Sequence, residues 1–157
     1  MSYKVVEIQE TDNFEMCQLF QKVFGKPISK LNSLEIFSWL FFDNVYKKNY
    51  CKGLHNGSEF VAHWGFIPVD FKKGDKILKG SLSFYLISTQ EVLGSALLLW
   101  KNIKEELIND DVALSFTINN ETSHLLLKNI GWKVESTPIV INIVNPLKLI
   151  NDLINKK

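Results

Sequence analysis

The sequence has 157 residues, of which 46% are hydrophobic and 22% are charged, a composition that argues against disorder and suits one globular domain. Its 18 basic residues nearly balance its 17 acidic residues, so no net field attracts nucleic acid or an anionic membrane as a partner. Every basic residue is a lysine. Any phosphate site must therefore use backbone N–H groups, hydroxyls or lysine charges instead of the forked guanidinium group of arginine.

The two cysteines, Cys17 and Cys51, are interpreted as buried structural thiols in preference to a disulfide or a nucleophile. No metal-ligand spacing links them with the three histidines. The longest apolar runs, such as Leu97–Trp100, fall far short of the ~20 residues that span a bilayer, and no secretory signal is recognised. We therefore expect a cytoplasmic protein that uses no metal.

The first part of the chain predicts a strand, two helices and an antiparallel meander. Apolar residues at helical spacing follow a short strand, and Gly25 and Pro27 end the first helix. These first three elements are predicted at Tyr3–Ile8, Phe14–Phe24 and Ser33–Asn44. Turn residues then separate runs rich in aromatic and β-branched side chains, which predict strands at Cys51–Leu54, Glu59–Phe66 and Lys76–Ser88.

Helices and strands alternate in the rest of the chain. The predicted elements are a helix from Gly94 to Asn109, a strand at Val112–Ile118, a helix from Asn119 to Gly131, a strand at Val134–Val144 and a helix after Pro146. The fold class is α/β of the α+β type, a mixed and mostly antiparallel sheet with helices on both faces in the order β-α-α-β-β-β-α-β-α-β. Only the fourth and fifth strands should run parallel, with Phe84–Ile87 beside Leu114–Ile118, because the segment between them is long enough for a crossover.

Four local motifs accompany this element order. They are Phe24-Gly25 ahead of a helix with Trp39 that ends at Asp43-Asn44, His63-Trp64-Gly65 before Ile67-Pro68, Gly94-Ser95-Ala96 at a helix start, and Asn119-x-x-Thr122 before Ile130-Gly131-Trp132. Together the order and the motifs resemble the GCN5-related N-acetyltransferase (GNAT) superfamily over nearly the whole chain. The resemblance extends to a bacterial subgroup often linked to amino-sugar and surface-polysaccharide metabolism. It implies a single GNAT-like acyltransferase domain over residues 1–157.

The resemblance implies an acyl-coenzyme A-dependent N-acyltransferase that acts on a small amine, with an amino sugar as the preferred acceptor and acetyl-coenzyme A or another acyl-coenzyme A as the acyl donor. The residues that it implies for cofactor binding are Leu86, Ile87, Gly94, Ser95, Ala96, Asn119 and Thr122. Those implied for the acceptor are Asp43, Asn44 and Tyr85. His63 is the first candidate for the base that takes a proton from the ammonium, and Glu91 is the second.

Each of these residues also has a structural interpretation. His63 could pack among Phe60, Trp64 and Phe66, and a carboxylate such as Glu91 is common at a helix start because it favours the helix dipole. Asp43-Asn44 is also an ordinary signal for the end of a helix. Asn119-x-x-Thr122 resembles an ordinary helix start in the same way.

Three departures from the family pattern keep a second function open. Glu91 stands where the family has Gln or Arg, Leu93 stands where a basic residue is common, and Leu127 occupies the place of the general-acid tyrosine. The alternative is therefore a catalytically degenerate GNAT-fold module that binds a ligand or a protein. A third hypothesis is a structural subunit that forms a homodimer through its last strand and the segment Leu147–Ile154.

Overall fold

The computed structural model describes residues 2–25, 34–89, 92, 94–117 and 121–133. The chain divides into two compact units, Met1–Asn120 and Glu121–Lys157, each of which is described by itself. The single domain therefore stays a prediction. The strand predicted at Val134–Val144 and the helix predicted after Pro146 lie outside the described residues.

The described part of the first unit contains one five-stranded sheet and three α-helices. The strands are β1 (Lys4–Glu7), β2 (Lys52–His55), β3 (Phe60–Lys73), β4 (Lys76–Ser88) and β5 (Leu114–Thr117). The helices are α1 (Asn13–Phe24), α2 (Leu34–Phe41) and α3 (Ser95–Asn109), with a short 3-10 turn at Glu10–Asp12 before α1. In the second unit α4 (Glu121–Asn129) ends in a turn at Gly131, where φ is +94°. None of the helices in these residues has the length and apolar character needed to cross a membrane.

The sheet has the strand order β1-β2-β3-β4-β5. The first three pairings are antiparallel, and β4 and β5 run parallel. This arrangement confirms the mixed, mostly antiparallel sheet predicted from the sequence. The register is different from the prediction, however, because β5 pairs with Gly80–Ser83 and not with Phe84–Ile87.

The third strand is longer than its sequence pattern predicts. The predicted strand ends at Phe66, whereas β3 runs through Pro68 to Lys73 and pairs there with Lys76. β2 pairs only with the first part of β3, up to Trp64, so in the described sheet Pro68 has a neighbour on one side alone. A proline is tolerated in such a position because its missing N–H faces no partner strand.

The two faces of the sheet are covered by different helices, as the alternation of side chains in β3 shows. His63 packs against the rings of Phe37 and Phe41 in α2, while Trp64 packs against Trp100 in α3. Helices therefore lie on both faces, as predicted. The Trp64 indole N–H donates to Ser83 Oγ at 2.6 Å, which links β3 to the last β4 residue that pairs with β5.

Gly65 is the residue that allows α2 to approach the sheet closely. A Cβ at this position would lie far inside van der Waals distance of the Phe41 ring and 3.0 Å from Cys51 Sγ. Both neighbours are fully buried, and the two cysteines are free thiols. The glycine of the His-Trp-Gly segment is therefore explained by packing.

We expect Gly65→Ala to lower the free energy of unfolding by about 1–3 kcal/mol, the usual cost of an overpacked core. Urea unfolding measures this loss. In the Phe41→Leu background the added methyl meets a shorter side chain, so the same substitution should cost less there. Equal costs in the two backgrounds would mean that the Phe41 ring is not the obstacle.

Candidate functional site

A β-bulge interrupts β4 opposite the His-Trp-Gly segment. His63 pairs with Ile87 and Gly65 pairs with Phe84, so two steps along β3 face three steps along β4. The extra residue lies in the segment Phe84–Ile87, in which Tyr85 has a φ of +52°. Left-handed backbone is rare for a bulky side chain, and a bulge leaves its extra residue outside the regular ladder.

The bulge lies immediately beyond the point where the β4–β5 pairing ends. The last pair is Ser83 with Thr117, whose hydroxyl donates to the Ser83 carbonyl at 3.3 Å. From Phe84 onward β4 continues beside β3, whereas the described part of β5 has ended. Leu86 and Ile87, two predicted cofactor-binding residues, occupy this stretch. In this stretch the described residues give β4 no β5 neighbour.

The N-terminus of α3 follows the same end of β4 along the chain. Its first intrahelical hydrogen bond runs from the Leu98 N–H to the Gly94 carbonyl at 3.1 Å, so the N–H groups of Ala96 and Leu97 precede the helical ladder, whereas the Ser95 N–H donates to the Val92 carbonyl at 3.5 Å. The first turn carries no acidic residue. Backbone N–H groups and the helix dipole together make such a terminus favourable for an anion.

The side chain of Ser95 is engaged within the protein. Its hydroxyl donates to Ser88 Oγ at 2.8 Å, and the Ser88 hydroxyl donates to the Thr89 carbonyl at 3.0 Å. Ser95 and Ala96 are both buried. Of these two predicted phosphate-binding residues, Ala96 offers its backbone N–H, while the Ser95 N–H donates to the Val92 carbonyl and the Ser95 hydroxyl connects the start of α3 to the end of β4.

Gly94 adopts a backbone conformation that favours glycine. Its φ is +80°, in the left-handed region, and no described atom lies within 4 Å of the position that a Cβ would take. The glycine is thus required by the turn into α3, since packing does not exclude a side chain. The open space above it is available to a ligand that meets the helix N-terminus.

His63 lies in the core and is inaccessible to solvent. Neither ring nitrogen has a hydrogen-bond partner among the described residues. Burial lowers the pKa of His63 from its ordinary 6.5 to about 3, and the nearby Lys52 backbone opposes this shift without reaching hydrogen-bond geometry. The side chain is therefore neutral at pH 7. These observations favour the packing interpretation of His63 over the role of a base, with Phe37 and Phe41 as its aromatic neighbours.

The Asp43-Asn44 pair that follows α2 is occupied by local contacts. The Asn44 side-chain amide donates to the carbonyls of Leu40, Phe41 and Lys48, and its oxygen accepts from the Tyr46 N–H. The exposed Asp43 forms an ion pair with Lys47 at 3.5 Å. These contacts account for both residues as the end of a helix, without a ligand.

Tyr85 is partly buried on the face covered by α1 and α2. Its ring meets Phe20 edge to face, with 4.9 Å between the ring centroids, and lies 6.3 Å from the Phe41 ring. Burial raises the pKa of its hydroxyl. Tyr85 thus belongs to the bulge by its backbone and to the aromatic core by its side chain.

The structure does not bring all of the predicted residues together. Glu91 and Asn119 lie outside the described residues, and Thr122 lies on α4 with its side chain not described. Across the described ranges, no three His, Cys, Asp or Glu side chains are arranged to hold a metal ion. What the described residues do bring together is the bulge, the end of the described β4–β5 pairing and, next along the chain, the N-terminus of α3.

The sequence matches no family model and no curated protein. Its fold, in contrast, matches solved acetyltransferase structures. A predicted acetyltransferase from Clostridium acetobutylicum, solved with acetyl-CoA, has a TM-score of 0.74 at 9% identity and covers 90% of this chain and 96% of its own.

Two further structures have the same fold. Glucosamine-6-phosphate N-acetyltransferase from Arabidopsis thaliana has a TM-score of 0.68 at 9% identity, covering 90% of this chain and 99% of its own. A GNAT family acetyltransferase from Staphylococcus aureus has a TM-score of 0.65 at 12% identity, covering 91% and 100%. At these identities the likeness establishes the fold, which is that of the GNAT acetyltransferases, as the sequence motifs predict.

Proposed function

We propose that the chain is an acyl-coenzyme A-dependent N-acyltransferase that acts on a small amine. The observation that carries the proposal is the bulge in β4 at the end of the β4–β5 pairing, followed along the chain by the N-terminus of α3. The bulge would offer backbone N–H groups to a carbonyl oxygen, and the N-terminus of α3 would offer them to a phosphate. The Clostridium acetobutylicum structure, which has this fold and contains acetyl-CoA, supports the same ligand class here.

The residues present fit a diphosphate-containing acyl donor. Ala96 and Leu97 would hold the diphosphate with backbone N–H groups, and the open space above Gly94 admits a ligand there. Leu86 and Ile87 would hold the acyl end of the donor with their backbone groups in β4. A bound acyl-coenzyme A supplies an acyl group as a thioester, which an amine can attack. Backbone N–H groups fixed by the bulge would stabilise charge on the carbonyl oxygen.

The proton of the acceptor ammonium needs a route out of the site. A buried side chain with a pKa of about 3 is a weak base at pH 7, so His63 is poorly suited to receive it. We propose Glu91 or water in that role. Leu127 carries no hydroxyl that could protonate the departing thiolate, so we assign this second proton transfer to solvent.

For the acceptor we propose an amino sugar, which is the class that the subgroup resemblance implies. The Arabidopsis thaliana structure of the same fold is, by its name, an enzyme of an amino-sugar phosphate, and this supports the choice. Tyr85 is not among the residues that we propose to contact the acceptor, because its ring packs against Phe20 and Phe41. Asp43 and Asn44 keep only a secondary place in the proposal, because local contacts account for them.

A second candidate is a GNAT-fold module that binds a ligand without catalysis. The specific observation in its favour is Leu127 at the place of the family's tyrosine. The two candidates differ in turnover, so release of free coenzyme A thiol in the presence of a panel of amines, amino sugars included, separates them.

Titration calorimetry with acetyl-coenzyme A, coenzyme A and pantetheine tests the shared step of both candidates. If the N-terminus of α3 binds the diphosphate, coenzyme A should bind at least about tenfold more tightly than pantetheine, a difference of about 1.4 kcal/mol. The absolute affinity should be weak, because no arginine assists. No detectable binding of either coenzyme A form would contradict the proposed function. Equal affinity for coenzyme A and pantetheine would contradict the phosphate site.

A further inference from the structure

The backbone of Tyr85 adopts a conformation that is unfavourable for an aromatic residue. Its φ of +52° places an aromatic residue in the left-handed region, where a side chain costs roughly 1–2 kcal/mol relative to glycine. Such a conformation persists only when the surrounding structure holds it. The rest of the fold must therefore supply contacts that keep Tyr85 in the bulge.

The contacts that the structure shows are those of the ring. It lies 4.9 Å from Phe20 of α1 in an edge-to-face arrangement and 6.3 Å from Phe41 of α2. Phe20 and Phe41 are themselves buried, and Phe41 also closes over Gly65 on the strand opposite the bulge. Edge-to-face aromatic pairs contribute about 0.5–1.5 kcal/mol beyond their buried area, which is comparable with the backbone strain.

We propose that Tyr85 is a positioning residue, whose ring, held by Phe20 and Phe41, keeps β4 bulged so that backbone N–H groups beside it meet the acyl carbonyl. The inference rests on the proposed function. It assigns the Tyr85 side chain to the aromatic core beneath the site, and it leaves the hydroxyl without a part in the reaction. The packing of α1 against the sheet thereby becomes a determinant of how the acyl group is held.

Substitutions of Tyr85 separate the ring from the backbone. Tyr85→Phe keeps the ring and should behave like the parent. Tyr85→Val removes the ring and places a β-branched residue at positive φ, so the bulge should relax. Tyr85→Gly also removes the ring but removes the strain as well, so it should keep more of the bulge than Tyr85→Val.

The first readout is the conformation of residue 85 without any ligand. A strong intraresidue NOE between the amide and α protons reports positive φ, and amide hydrogen exchange at 84–87 reports the local pairing. We expect positive φ by NOE in the parent and Tyr85→Phe and its loss in Tyr85→Val. For Tyr85→Gly, whose two α protons make this NOE undiagnostic, hydrogen exchange at 84–87 reports whether the bulge is kept. A folded Tyr85→Val variant that retains positive φ would overturn the role of the ring.

The second readout is the affinity for acetyl-coenzyme A divided by that for coenzyme A, because only the acetyl form presents the carbonyl. Tyr85→Val should lower this ratio by about tenfold while coenzyme A affinity stays nearly unchanged, and Tyr85→Gly should lower it less. This order is opposite to the one expected for stability, since glycine loses more buried side chain than valine. An equal loss in Tyr85→Phe would overturn the proposal in favour of the hydroxyl.

Phe20 provides the partner variant and Phe24 its matched control. Phe20→Leu should lower the acetyl preference as Tyr85→Val does. Phe24→Leu, on the same helix but 53% exposed, should leave it unchanged. If the parent binds neither ligand, the proposed function has failed, and the NOE of residue 85 alone then supports or overturns the role of the ring.

Discussion

Replacing Gly94 with valine should reduce coenzyme A affinity by at least about tenfold, which corresponds to about 1.4 kcal/mol of binding free energy. Valine would have to adopt a φ near +80°, and its side chain would enter the open space in front of the α3 N-terminus. Both effects oppose an anion that approaches the backbone N–H groups of Ala96 and Leu97. Calorimetry with coenzyme A measures the loss, and circular dichroism verifies that the variant is folded.

Gly25 provides a control with matched strain. It ends α1 with a φ of +62°, and like Gly94 it has no described atom within 4 Å of a Cβ position. Gly25→Val should therefore lower the thermal midpoint comparably while leaving coenzyme A affinity unchanged. If both variants lost affinity equally, general strain would be the cause. Normal binding by Gly94→Val would refute the assignment of this turn to the phosphates.

The sequence pattern predicts the existence of α1 well and its buried face poorly. The prediction uses Phe14, Cys17, Phe20 and Phe24 as one apolar stripe, but the structure buries Met16, Cys17, Leu19 and Phe20 and leaves Phe14 and Phe24 60% and 53% exposed. Both sets have helical spacing. The choice between them depends on contacts with the sheet and with α2, which periodicity in α1 does not contain.

The register of β4 against β5 shows a different limit. The run Phe84-Tyr85-Leu86-Ile87 is apolar at every position, so it carries no alternation that could reveal an extra residue. Among the described residues the pairing with β5 ends at Ser83, four residues before the end that the sequence predicts. No signal in this run identifies Tyr85 as the strained residue. The lack of alternation itself is the only local indication that the strand is irregular.

The candidate site could be predicted in outline because its elements are local. The glycine that precedes α3 and the end of β4 are both marked by residue type. The roles of His63 and of Asp43-Asn44 could not be decided in this way, because the same residues serve packing and turns as well as catalysis. In the structure, an aromatic ring from α2, far from His63 in sequence, packs against His63, and a carbonyl close to Asn44 in sequence accepts a hydrogen bond from its amide. Glu91 and Asn119 stay predictions.

His63 should make the protein less stable as the pH falls below about 6.5. In the folded chain burial lowers its pKa to about 3, whereas the unfolded chain binds a proton near pH 6.5. The unfolded state therefore binds more protons between these values, and stability falls with falling pH through that window. Linkage gives a loss of about 2 kcal/mol from this residue between pH 7.5 and pH 5.

A variant with leucine at position 63 isolates this contribution from the acid titration of carboxylates. Leucine has a similar volume and places no polar nitrogen in the core, so His63→Leu should be as stable as the parent, or more stable, at pH 7.5. Its advantage should grow by about 2 kcal/mol at pH 5 in urea unfolding. The matched control is His124→Leu on α4, which replaces an exposed histidine and removes none from the core.

The two interpretations of His63 lead to opposite results for the same leucine variant. A base in the reaction would give a stable variant that loses turnover by roughly 10² to 10⁴ on an identified amine, together with one limb of the pH profile. If His63 is a packed residue, the stability advantage of the leucine variant over the parent grows below pH 6.5, and the variant retains turnover. We expect the second result, because a histidine without access to solvent and without a hydrogen-bond partner among the described residues has no path there by which to pass on a proton. A constant stability difference between pH 7.5 and pH 5 would contradict the neutral, unpartnered state of this side chain.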